Sequence, residues 1–79
     1  MIPMTENLHM AIEKGDRVKV VGGSDNQLIG VTGTVTDTWM NESEIYGTVQ
    51  KAMVLVDGQF SFIFGNRIAG PTSLMEKML

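Results

Sequence analysis

The chain has 79 residues, and a domain of that size buries only about 60% of the surface its unfolded form exposes, so one small core is all it can hold. It contains no cysteine, which excludes a disulfide framework and a thiolate metal site and fits a reducing compartment. Six Lys and Arg against nine Asp and Glu leave a formal charge of −3, a balance that offers nucleic acid little to hold.

In chain order, the first fourteen residues form a helical or frayed segment. Thr5 is placed to N-cap a helix over Glu6 to Glu13, with Leu8 and Ile12 one turn apart. His9 has no second ligand near it and reads as a surface or packing residue. The segment has neither a basic start nor an uninterrupted apolar run, so it resembles neither a secretory signal nor a membrane span. A soluble, cytoplasmic protein without membrane insertion is expected.

Gly15-Asp16 then makes a turn, and Val18 and Val20 alternate with Arg17 and Lys19, predicting a half-buried strand from Arg17 to Val21. Gly22 to Asn26 is a concentrated turn signal. Alternation resumes at Gly30, with Val31, Gly33, Val35 and Trp39 on one side and Thr32, Thr34, Thr36 and Thr38 on the other. Gly33 stands in the middle of the apolar row, which predicts either a close backbone approach above it or a bend in the strand.

Gly15-Asp16, Val18, Val20, Gly23, Gly30, Gly33 and Val35 together resemble the KOW motif of ribosomal proteins and transcription-elongation factors of the NusG and Spt5 kind. That resemblance implies a mainly β fold, a small SH3-like five-stranded barrel over residues 15–70, flanked by short terminal helices. The basic loop that touches RNA in the ribosomal relatives is replaced here by Ser24, Asp25, Asn26 and Gln27. The likeness therefore carries the fold further than the RNA contact. A looser resemblance runs to small SH3-like accessory subunits of photosynthetic electron-transfer complexes.

Residues 40–50 read as a connection carrying Glu42, Glu44, Ile45 and Tyr46. Its two acids are more simply solvated charges than a catalytic pair. Asp57-Gly58, between the apolar runs from Lys51 and to Phe64, predicts a two-residue type I′ hairpin with Val56 opposite Gln59. One face of that hairpin would carry Met53, Leu55, Phe60, Phe62 and Phe64, and the other Ala52, Val54, Val56 and Ile63. Since a barrel has one interior, something else must cover the second face. In the SH3-like resemblance Ile68 plugs the barrel bottom, Ile63, Val54 and Val56 face inward and the phenylalanines stay outside. Finally, Ser73 and Glu76 have capping-box spacing, and Leu74 with Met78 and Met75 with Leu79 lie one turn apart, predicting a short helix over residues 71–79.

No nucleophile–base pair, metal cluster or cofactor motif stands out, so an enzyme, a metal and a cofactor are not expected. The favoured function is a non-enzymatic protein-binding module, an accessory or regulatory subunit of a larger complex. Its candidate contacts are Phe60, Phe62, Phe64, Met53, Leu55, Tyr46, Glu42 and Glu44. Self-association as a homodimer through the same apolar row is compatible with it. The alternative is an RNA- or ribosome-associated factor using Lys14, Arg17, Lys19, Lys51 and Arg67.

Overall fold

The computed structural model describes residues 12–45 and 47–78. Five strands, β1 Arg17–Val20, β2 Thr32–Ser43, β3 Gly47–Val56, β4 Arg67–Pro71 and β5 Met75–Met78, form one antiparallel sheet in the order β4-β3-β2-β1-β5. The opposite edges, β4 and β5, are consecutive in the chain and joined only by the 3₁₀ turn Thr72–Leu74. In a flat sheet four strand spacings would hold those edges about 19 Å apart. The four steps from Pro71 to Met75 reach at most about 14 Å even fully extended. The sheet must therefore curl until its edges approach, although no ladder joins β4 to β5.

Inside the curl lie Val18 and Val20 of β1, Val35 of β2, Ala52, Val54 and Val56 of β3 and Met75 of β5, together with Ile12, Val31 and Ile63. Each buried valine-sized side chain contributes about 1.5–3 kcal/mol relative to exposure. Ile68 and Phe60 pack against this cluster. Gly33 sits opposite Val56 in the β2–β3 ladder, and a Cβ there would lie 2.5 Å from the Leu55 carbonyl oxygen and 2.9 Å from the Val56 Cα. The close approach expected from the sequence is thus present, made by this backbone and by the Val54 side chain, whose Cγ1 would lie 2.6 Å from that Cβ. The buried Thr72 hydroxyl faces the Gln50 carbonyl oxygen at 3.3 Å and Oε1 at 3.2 Å, while Gln50 Nε2 donates to the Ile12 carbonyl at 3.0 Å. That clasp ties the start of the described chain and the edge-to-edge turn to the middle of β3.

The structure corrects several expectations. The short helix expected over residues 71–79 does not form in its described part, 71–78: after the 3₁₀ turn, Met75–Met78 is a strand paired with β1, Val20 opposite Met75 and Arg17 opposite Met78. A free edge of β1 offers these residues a full ladder, whereas a helix that short is marginal alone. Residues 40–43 and 47–50 continue β2 and β3 into a two-stranded ribbon that pairs out to Ser43 and Gly47, not an irregular connection. Asp57-Gly58 does not close a hairpin. β3 ends at Val56, and the next strand, β4, pairs Leu55 with Arg67 across a long connection containing the 3₁₀ turn Phe64–Asn66. The phenylalanines consequently do not share a strand face. The helix expected over Glu6 to Glu13, with Thr5, Leu8 and His9, lies outside the described residues apart from Ile12, which is buried, and Glu13, which is exposed.

Because the atoms confronting a Gly33 Cβ include backbone, they cannot move aside as a flexible side chain would. Gly33→Ala should destabilise the protein by about 1–3 kcal/mol through overpacking. A urea unfolding midpoint equal to that of the parent chain would contradict this account.

Candidate functional site

The outward face of the sheet is read from the ladder register. Opposed residues share a face, so the inward pairs Gly33–Val56 and Val35–Val54 fix the parity of β2 and β3. A bulge between Val35 and Asp37 then shifts β2 by one residue. Beyond it Asp37 opposes Met53 and Trp39 opposes Lys51, so Trp39 turns outward rather than continuing the inner row with Val35. The sequence held a signal for this, since unbroken alternation would have carried Asp37 into the core with Trp39.

The outward face is thereby assembled from Lys51, Met53 and Leu55 of β3, Trp39 and Thr34 of β2, Arg67 and Ala69 of β4, and Arg17 and Lys19 of β1. Trp39 is 39% exposed and Leu55 42% exposed, with Met53 half-buried on the diagonal between them. These three make a continuous apolar diagonal across two strands. Unlike the scattered apolar residues normal on any surface, they are adjacent.

Electrostatically, Asp57 dominates this face. Arg17 Nη1 donates to Asp57 Oδ1 at 2.9 Å and to Thr34 Oγ1 at 3.0 Å, and Arg17 Nη2 donates to Asp57 Oδ2. The Thr32 hydroxyl adds a third bond to Oδ2 at 2.7 Å. The Arg17 hydrogen bonds, then that of Thr32, lower the Asp57 carboxyl from its ordinary 3.8 to about 2, and the same pairing raises Arg17. This fork staples β1 and β2 to the end of β3, which is why Asp57 serves the sheet rather than a two-residue turn.

Of the basic residues singled out by sequence, Arg17, Lys19, Lys51 and Arg67 do share the outward face, while Lys14 lies in the exposed turn before β1. They do not form a continuous cationic patch: Arg17 is forked to Asp57, Lys19 stands opposite Glu76, and Asp37 lies between the rows of Lys51 and Arg67. Lys77 on β5 pairs with Asp16 at 3.4 Å. Of the candidate protein contacts, Met53 and Leu55 lie on the outward face, whereas Phe60 packs on the core with the Phe62 ring 5.5 Å away. Phe62 is half exposed and Phe64 is 98% exposed. Glu42, opposite Thr48, and Glu44 are exposed near the ribbon tip, and Tyr46 lies outside the described residues. Trp39 is the outward residue that sequence reasoning assigned to the wrong side.

No family model, curated protein or solved structure matches the chain. Among the described residues, no helix is long and apolar enough to cross a membrane.

The fork has a pH signature. Because the Asp57 carboxyl titrates lower in the folded chain than its ordinary 3.8, its contribution is complete above that value and is lost as pH falls toward about 2. Asp57→Asn should lower the thermal midpoint at neutral pH, and the gap to the parent chain should close through that acid window. A gap that stays constant down to the lower limit would refute the fork's role.

Proposed function

We propose that the protein is a non-enzymatic protein-binding module, an accessory or regulatory subunit that meets a larger partner through the outward face of its sheet. The observation that carries this reading is the Trp39–Met53–Leu55 diagonal, whose members are adjacent on one sheet face and two of which are about two-fifths exposed. Tryptophan is enriched among residues that dominate binding energy, and methionine adapts its shape to a partner. Lys51 and Arg67 flank the diagonal and have no ion pair among the described residues. They suit a partner whose apolar patch is rimmed by carboxylates. An SH3-like relationship of the KOW type is the family reading that accompanies this proposal, supported by the glycine and valine spacing of residues 15–35 and by the five-strand antiparallel order.

An RNA-binding role in the same fold would need its cations to act together. The Asp57 and Glu76 neighbours of Arg17 and Lys19 favour the protein partner instead.

A photo-crosslinking residue in place of Met53, used in cells of the source organism, should capture a protein, and the adduct should be lost when Trp39→Ala is added. With the partner purified, Trp39→Ala should weaken binding by about 30-fold, the scale of a hot-spot truncation. Since Trp39 is the chain's one tryptophan, its emission should shift on binding. Crosslinks to nucleic acid alone would overturn the proposal.

A further inference from the structure

Two features adjoin β4. The first is a knob. Phe64 is 98% exposed, and the turn that carries it is held in a defined shape by successive left-handed residues, Gly65 at φ 66° and Asn66 at φ 59°. Asn66 Nδ2 anchors that turn by donating to the Gly58 carbonyl at 2.9 Å. The left-handed conformation is costly for a non-glycine residue, and asparagine is among the few that tolerate it. A fully solvated phenyl ring on an anchored turn contributes nothing to the core of its own chain.

The second is a socket at the unclosed seam of the sheet. A cavity of about 170 Å³ opens between β4, through Ile68 and Ala69, and the wall formed by Gly22, Gly23, Leu28 and Leu74. Its lining is mainly apolar, and an apolar cavity of about 150 Å³ is enough to hold a benzene ring. Leu74 packs along the glycine wall, its Cδ2 3.4 Å from where a Cβ at Gly22 would stand.

We propose that a second copy of this chain fills the socket, with Phe64 of each protomer entering the cavity of the other in a reciprocal two-fold dimer. Charge supports this occupant. Arg67 follows Phe64 by three positions and Asp25 belongs to the socket lining; both are exposed, and neither has an ion pair among the described residues. Asp25 accepts a bond from the Gln27 N–H at Oδ1. Knob and cation on one chain thus meet socket and anion on the other. The knob precedes the first socket residue of β4 by four positions, and a two-fold axis would make each contact twice. A phenylalanine buries about 150–250 Å². Two such rings with their rims fall well short of the roughly 1,200 Å² typical of a stable complex, so the dimer is weak and reversible. Arg67 also flanks the outward diagonal, but this inference uses none of Trp39, Met53 and Leu55, so Phe64→Ser tests it apart from the proposed partner contact.

Sedimentation equilibrium of the full chain should show self-association with a Kd between about 10 μM and 1 mM. Phe64→Ser, at a position that leaves the core untouched, should weaken it by at least about ten-fold with an unchanged thermal midpoint. Asp25→Arg and Arg67→Asp should each weaken association alone. An equimolar mixture of those two variants should restore it, since each protomer then meets opposite charge at both contacts. A chain monomeric to about 1 mM, association indifferent to Phe64→Ser, or a mixture no better than its components would overturn the proposal. A monomeric chain whose socket resonances shift with N-acetyl-phenylalanine amide would likewise overturn it, giving the socket to another protein's aromatic residue.

Discussion

The shape of this protein depends on a short piece of backbone, the single 3₁₀ turn between Pro71 and Met75 that joins strands on opposite edges of a five-strand sheet. A turn of that length cannot cross the width of a flat sheet, so curvature is imposed by connectivity before any side chain is considered. Curvature then decides composition. The strands line the concave side with valines, an alanine and Met75, and where β2 pairs with β3 at Gly33 the Leu55 and Val56 backbone and the Val54 side chain leave no room for a Cβ. The Thr72–Gln50–Ile12 clasp fixes the same turn from beneath with hydrogen bonds that a buried hydroxyl cannot forgo.

Much of this was legible in the residues. The alternation around Val18 and Val20 and the glycine in the apolar row follow from a period of two, whereas the inward facing of Val54, Val56 and Ile63 is what the SH3-like resemblance implies, since both faces of that stretch are apolar. What was not legible depended on partners distant in sequence. Asp57 looks like a turn residue until Arg17, forty positions earlier, claims its carboxylate. Met75 to Met78 carries helical spacing, but β1 offers a ladder that local spacing cannot anticipate. The Phe60, Phe62 and Phe64 alternation reads as a strand because phenylalanine favours strands; the chain instead spends Phe60 on the core and carries Phe64 into solvent. As for the candidate site, Met53 and Leu55 were recognisable, and Trp39 was hidden by the bulge.

The two sides of the sheet divide the work between them. Concave positions are small, apolar and closely packed, so they tolerate little change. Convex positions mix an apolar diagonal with charges that largely cancel, through the Arg17–Asp57 fork and the opposition of Lys19 and Glu76. Cancellation of this kind suppresses long-range attraction to polyanions and leaves short-range shape and desolvation to select a partner. A net acidic chain with four cations on one face is therefore less contradictory than its composition suggests.

The bulge after Val35 has a consequence for how such a surface can change over evolutionary time. Every residue of β2 beyond it has its facing set by one extra backbone unit, so insertion or loss of a single codon there inverts the facing of that part of β2, Trp39 included. The valine core on the near side keeps its register throughout. Within β2, the part that folds and the part that presents Trp39 are separated by one residue, so the contribution of β2 to the outward face can change while Met53 and Leu55 of β3 stay in place.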